Sequence, residues 1–139
     1  MMPLQADPLD EALRAALRDV LPDATLAWLH GSAARDALRA DSDLDVAVWL
    51  PRPLPAERWL QAAARLGERL GREVDLLDLA RAPTVTQFIV LSSGRLLLAR
   101  DERAAWRLWA RVLRDWQDLQ PARRAALRAL ASELQEATA

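Results

Sequence analysis

TLAWLHGSAARDALRADSDLDVAVWL, residues 25–50, is the stretch from which the rest of the chain is read. Thr25 to Leu29 is a short apolar run bounded by turn residues, which predicts a mostly buried strand ending at Gly31. Leu44, Val46 and Val48 alternate with Asp43, Asp45 and Ala47, which predicts a second strand running to Leu50. Side chains two apart on a strand point to the same face, so the Asp43 and Asp45 carboxylates project together into one small volume. Like charges so close raise each other's pKa unless a cation intervenes. A divalent, oxygen-seeking ion such as Mg²⁺ meets that need, because it takes one or two carboxylates and completes its shell with water and phosphate oxygens. The plainer reading is an exposed strand end with solvated acids.

Between the two runs, Gly31-Ser32 stands where the first strand gives way to a predicted short helix over 32–38. Glycine lets a backbone approach a phosphate closely, and the following N–H groups and the helix dipole favour an anion. The Ser32 hydroxyl can donate to a terminal phosphate oxygen. A Gly-Ser pair alone carries little information. Gly-Ser, ten residues, then Asp-Leu-Asp sets an anion site beside a metal site, and that combination is specific.

Outward from this stretch the elements follow in order. Asp7-Pro8 is a helix start, an N-cap acid followed by a proline that loses nothing at the first helical position. Leu9, Leu13, Ala16, Leu17 and Val20 then repeat at helical spacing. Pro51, Pro53 and Pro55 break the second strand. Trp59, Ala63, Leu66 and Leu70 make the face of a helix over 56–70 that Gly71 stops. Glu73 to Leu79 alternates as a third strand. Residues 83–93 read equally as a strand or as a helix bracketed by Pro83 and Gly94. Arg95 to Ala99 is a short strand. Asp101 caps a long helix, and Pro121 starts a final one carrying Leu127, Leu130 and Leu134. The chain, residues 1–139, is expected to be one α/β (α+β) domain, a small mixed sheet with helices packed mainly on one face.

Composition removes several classes of function. The 139 residues include 19 Arg and no Lys, Cys, Tyr or Asn. Without cysteine there is no disulfide framework, thiolate metal site or cysteine nucleophile. A net charge of −1 argues against a general nucleic-acid coat. No apolar run approaches the ~18 residues of a membrane span, and the first helix is acidic where a signal peptide is basic. A cytoplasmic protein with no membrane and no stable nucleic-acid partner is expected. The average charge hides a division, because residues 100–128 hold eight Arg against four acids. That segment suits phosphate or an acidic partner surface, or is a solvated helix face.

HGSAARDALRADSDLDVAV resembles the Gly-Ser-x10-Asp-x-Asp signature of the DNA polymerase beta-like nucleotidyltransferases. Size and element order resemble the minimal nucleotidyltransferases that act as antitoxins of HEPN-domain toxins. The resemblance implies that fold, closed by two C-terminal helices, and a third carboxylate on a neighbouring strand, for which Asp75 in REVDLLDL fits. Asp78 ranks behind it. Arg35 matches a basic residue of the motif that supports phosphate or the loop. Asp36 departs from the small residue common there, which bears on loop shape and not on the metal ligands.

A further implication is an adenylyltransferase mechanism. ATP would lie with its triphosphate on Gly31 and Ser32, and two Mg²⁺ ions (or Mn²⁺) would be held by Asp43, Asp45 and Asp75. AMP would pass to a hydroxyl, by resemblance a tyrosine of the cognate HEPN toxin, which cannot come from this tyrosine-free chain. Alternatives are an antitoxin acting by contact alone, a transferase for a small molecule or an RNA end, and a nucleotide sensor. The sole histidine, His30, and the tryptophans Trp106, Trp109 and Trp116 are read as structural. Nucleotide preference, the number of AMP groups transferred, the metal used in the cell and the oligomeric state are not legible.

Overall fold

A computed structural model describes residues 1–4, 6–31 and 43–138. Helix α1 (Pro8–Val20) starts where the Asp7 carboxylate accepts from the Leu9 N–H at 2.8 Å, with Pro8 in its first turn. Strands β1 (Leu26–His30) and β2 (Leu44–Trp49) follow. Helix α2 (Ala56–Leu70) ends on Gly71 in the left-handed conformation, φ 64°. Strand β3 (Val74–Asp78), a 3₁₀ turn (Leu79–Arg81), α3 (Thr84–Ser93), β4 (Arg95–Ala99) and α4 (Glu102–Thr138) complete the order.

The strands lie in the order β3-β2-β1-β4. β1 pairs antiparallel with β2 and β4, and β2 pairs parallel with β3. The sheet is therefore mixed, as expected. Its coverage differs from expectation, because helices pack on both faces. Leu13 and Leu17 of α1 and Leu66 of α2 meet Ala27, Leu29, Val46 and Val48 on one face. Val90 and Leu91 of α3 and Ala105, Leu108 and Val112 of α4 meet Leu26, Trp28 and Ala47 on the other. β1 is the reason. All four of its residues Leu26–Leu29 are buried, and a strand apolar on both sides needs a helix layer on both sides.

Residues 84–93, which read both ways in sequence, are helical. One turn places Gln87, Val90 and Leu91 inward, and the Gln87 side-chain N–H donates to the Leu79 carbonyl at 2.9 Å. The expected pair of closing helices is instead one helix running through Pro121. A proline there removes one N–H and leaves a carbonyl unpaired. The orphaned carbonyl is that of Gln117, an exposed residue, so water can reach it and the helix continues. No helix of the described residues is long and apolar enough to cross a membrane.

Gly94 is the tight point between α3 and β4. A Cβ built there falls 2.3 Å from the Val90 carbonyl oxygen and 3.1 Å from that of Leu29, both backbone atoms. Gly94→Ala is expected to cost about 1–3 kcal/mol, read by urea denaturation, since neither obstacle can rotate away.

Candidate active site

The parallel register of β2 and β3 sets Asp45 directly beside Asp75, and the antiparallel register of β1 and β2 sets His30 opposite Asp45. Asp45 shares its side of the sheet with Ala47, His30 shares its side with Trp28, and Ala47 and Trp28 belong to the same layer. Asp75 alternates with Val74 and Leu76, which face α1 and α2, so it too lies on the α3–α4 side. Asp43 stands two residues before Asp45 and is exposed, Asp45 is half-buried, and Asp75 is exposed. Asp43 just before β2, Asp45 near its start and Asp75 near the start of the edge strand β3 therefore lie at the same end of two adjacent parallel strands.

Gly31 completes the corner. It turns the chain out of β1 with φ +70°, and a Cβ placed on it would fall 2.3 Å from Asp45 Oδ2. Only the absence of a side chain lets the Asp45 carboxylate lie against this turn. Burial pushes the Asp45 carboxyl above its ordinary range. His30 works against that rise, while the nearby charges of Asp75 and Asp43 and a hydrogen bond with Asp75 add to it. His30 is held below its usual value chiefly by burial, partly offset by Asp45. Its Nε2 is buried and has no hydrogen-bond partner among the described residues. Asp78 is turned to another use, an ion pair with Arg81 at 3.2 Å.

Among the described residues, no three His, Cys, Asp or Glu side chains are gathered closely enough to form a ready metal cage. The carboxylates share a face and feel one another's charge without closing into a cluster. That arrangement fits a hard divalent ion, which keeps several waters and draws on one or two carboxylates and substrate phosphates. Ser32 and Arg35 lie outside the described residues, as does Asp36. A cavity of about 580 Å³ lies at the opposite strand ends between Leu50, Leu54, Arg52 and Arg100.

His30 is the neighbour that sequence reading set aside. Its signal was available, because β1 ends at His30 and β2 begins at Leu44, and an antiparallel pairing of consecutive strands brings those ends together. Trp28 is in the core as expected. Trp109 and Trp116 stack on Phe88 at ring-centroid distances of 5.9 and 4.3 Å, while Trp106 is exposed.

Comparison with known proteins bears on this corner. The family model described as "Polymerase beta, Nucleotidyltransferase" matches residues 13–103. A curated relative, the protein adenylyltransferase MntA of Shewanella oneidensis, is 37% identical over 82 residues, 58% of each chain. The chain thus spans somewhat over half the length of that relative. A solved toxin–antitoxin complex with AMP-PNP has a chain 27% identical, with TM-score 0.77, covering 88% of this chain and 98% of that one. Another, a tri-AMPylated Shewanella oneidensis HEPN toxin in complex with MNT antitoxin, matches at 26% identity and TM-score 0.73, covering 88% and 96%. The family match begins inside α1, ends in the first turn of α4 and takes in the whole sheet, and on that ground the chain belongs to the polymerase beta nucleotidyltransferase family.

Proposed function

We propose that this chain transfers AMP from ATP to a hydroxyl of a HEPN-domain toxin and so acts as its antitoxin. One observation carries the reading: the sheet register sets Asp45 beside Asp75, two residues after Asp43, with its carboxylate against the Gly31 turn, so three acids share one corner of the sheet. Mg²⁺, or Mn²⁺, bound by Asp43, Asp45 and Asp75 would polarise the phosphate oxygens and lower the pKa of the attacking hydroxyl. Gly31 and Ser32 would seat the triphosphate, and Arg35 would support it. The acceptor oxygen attacks the α-phosphorus, the bond to the bridging oxygen breaks, and pyrophosphate leaves. Asp75, the exposed acid beside Asp45 in the β2–β3 register, would take the hydroxyl proton. Kinship with a protein adenylyltransferase and with antitoxin chains solved beside a HEPN toxin and with AMP-PNP supports this choice of donor and acceptor. The absence of tyrosine from the chain sends any transfer to tyrosine elsewhere.

The test is incubation of the chain with its gene neighbour's product, as the proposed HEPN-domain acceptor, together with radiolabelled ATP and Mg²⁺. Label on that protein from wild type, and none from an Asp43→Ala, Asp45→Ala double variant, is the expected result. Neutralisation of the toxin by the double variant without any label would show instead that contact alone suffices.

Gly31→Ala separates shape from strain. Its positive φ costs an alanine about 1–2 kcal/mol, and the new methyl pushes the Asp45 carboxylate aside. Gly71→Ala carries the same kind of strain at φ +64°, with no atom within 4 Å of the new methyl. Both variants are expected to melt slightly earlier, and only Gly31→Ala to lose transfer. Equal transfer by the two would show that Asp45 needs no contact with the turn.

A further inference from the structure

Helix α4 carries one stripe repeated every 11 residues. Its first block is Ala105, Leu108 and Val112, its second Trp116, Leu119 and Arg123, and its third Leu127, Leu130 and Leu134. Eleven residues fill three helical turns, so the blocks lie along one face of a nearly straight helix. Pro121 falls roughly 160° around the helix from the middle of that stripe, at about 100° per residue. The first block is buried beneath α3 and the sheet, and Trp116 of the second stacks on Phe88. The third block repeats the pattern in the open, with Leu127, Leu130 and Leu134 exposed by 58%, 53% and 59%. An apolar face that continues a core interface and then emerges into water is built for cover from outside.

Charge decides what covers it. Arg123 is the one charged residue on the stripe, its guanidinium 5.8 Å from the Trp116 ring centroid. The stripe itself offers no acid. A second copy laid along the same face would set Arg123 against a stripe that carries no carboxylate of its own, with only the flanking Asp115, Asp118 and Glu133 to meet it. Burial of an unpaired charge is unfavourable. A different protein carrying a carboxylate among apolar residues satisfies both features. The family match stops at residue 103, so the open part of the stripe lies outside the shared catalytic body.

We propose that the outward half of α4, from Trp116 to Leu134, is the docking surface for the acceptor protein, which meets it with an apolar face bearing an acidic residue opposite Arg123. This inference rests on the reading of the chain as a transferase acting on a protein.

The test uses the full chain with Leu127→Asp and Leu130→Asp together, and separately with Arg123→Glu. Affinity for the gene neighbour's product, the proposed HEPN-domain acceptor, is measured by calorimetry, oligomeric state by light scattering, and transfer by the acceptor dependence of its rate. The double variant is expected to bind about 100-fold more weakly, and Arg123→Glu about 10-fold more weakly. The acceptor KM should rise in step while kcat and melting temperature hold. Binding by the double variant within about twofold of wild type overturns the proposal, as does a wild type that binds no HEPN-domain protein. A wild-type dimer that the double variant converts to monomer, with acceptor binding intact, assigns the face to a second copy and overturns it too. Wild type that binds tightly yet transfers no AMP overturns the activity and leaves the docking surface standing.

Discussion

Asp45→Asn is expected to leave a folded protein whose AMP transfer is at least about 1,000-fold slower, since a metal's share of transition-state stabilisation is several kcal/mol and each 1.4 is tenfold. The amide keeps the shape of the carboxylate and its fit against Gly31, so the loss reports charge and not packing. Stability moves the other way. Burial and the acids around it raise the Asp45 carboxyl in the fold, so the folded chain holds that proton more tightly than the unfolded chain does. The resulting stabilisation is complete below the ordinary carboxyl range and is lost as pH rises through the raised value. Metal-free wild type is therefore penalised at neutral pH, and the asparagine variant is not. Its melting temperature should exceed that of wild type at neutral pH, with the gap closing in acid below about pH 4. Added Mg²⁺ should raise the melting point of wild type alone. A variant that melts earlier than wild type in metal-free neutral buffer would contradict the assignment.

Arg95→Met is expected to cost about 3–5 kcal/mol, the usual result of leaving one member of a buried ion pair alone. Arg95, the first residue of β4, reaches Asp10 in the first turn of α1 through two parallel bonds, Nε to Oδ2 at 2.7 Å and Nη2 to Oδ1 at 2.8 Å. Both side chains are almost wholly enclosed, 6% and 0% exposed. Against a total stability of about 5–15 kcal/mol for a domain, that loss is large. Asp10→Leu combined with Arg95→Met should recover most of it, because apolar replacement of both partners removes the desolvation cost as well as the attraction. Guanidinium denaturation of the two single variants and the double closes the cycle. A single-variant loss below about 1 kcal/mol would place the pair with ordinary surface bridges.

The parity of Asp43 and Asp45 was readable because it depends on two neighbouring residues and the period of a strand. α1 and α2 were equally readable, since their caps and apolar spacing are local. The meeting of Asp45 with Asp75 needed a parallel register between strands separated by a helix, which the family signature supplied and residue spacing did not. The layer of α3 and α4 was hidden because 84–93 fits either period, and only contacts with Trp28, Leu79 and Leu108 decide it. The continuation through Pro121 misled for a different reason: proline's cost in a helix depends on whether its orphaned carbonyl can reach water. The Asp10–Arg95 pair joins residues 85 apart and leaves no trace in local pattern.

The sheet order also sets a timetable for synthesis. β1 is an inner strand, yet its neighbour on one side is β4, some seventy residues later. Until Arg95–Ala99 emerges, a growing chain carries β1 as an open edge made of Leu26, Ala27, Trp28 and Leu29, and Asp10 has no cation to meet it. Such an edge is a template for pairing with other chains. Fragments ending before residue 95 should therefore aggregate, whereas those reaching past Val112 supply the last strand and the buried turns of α4 in one step.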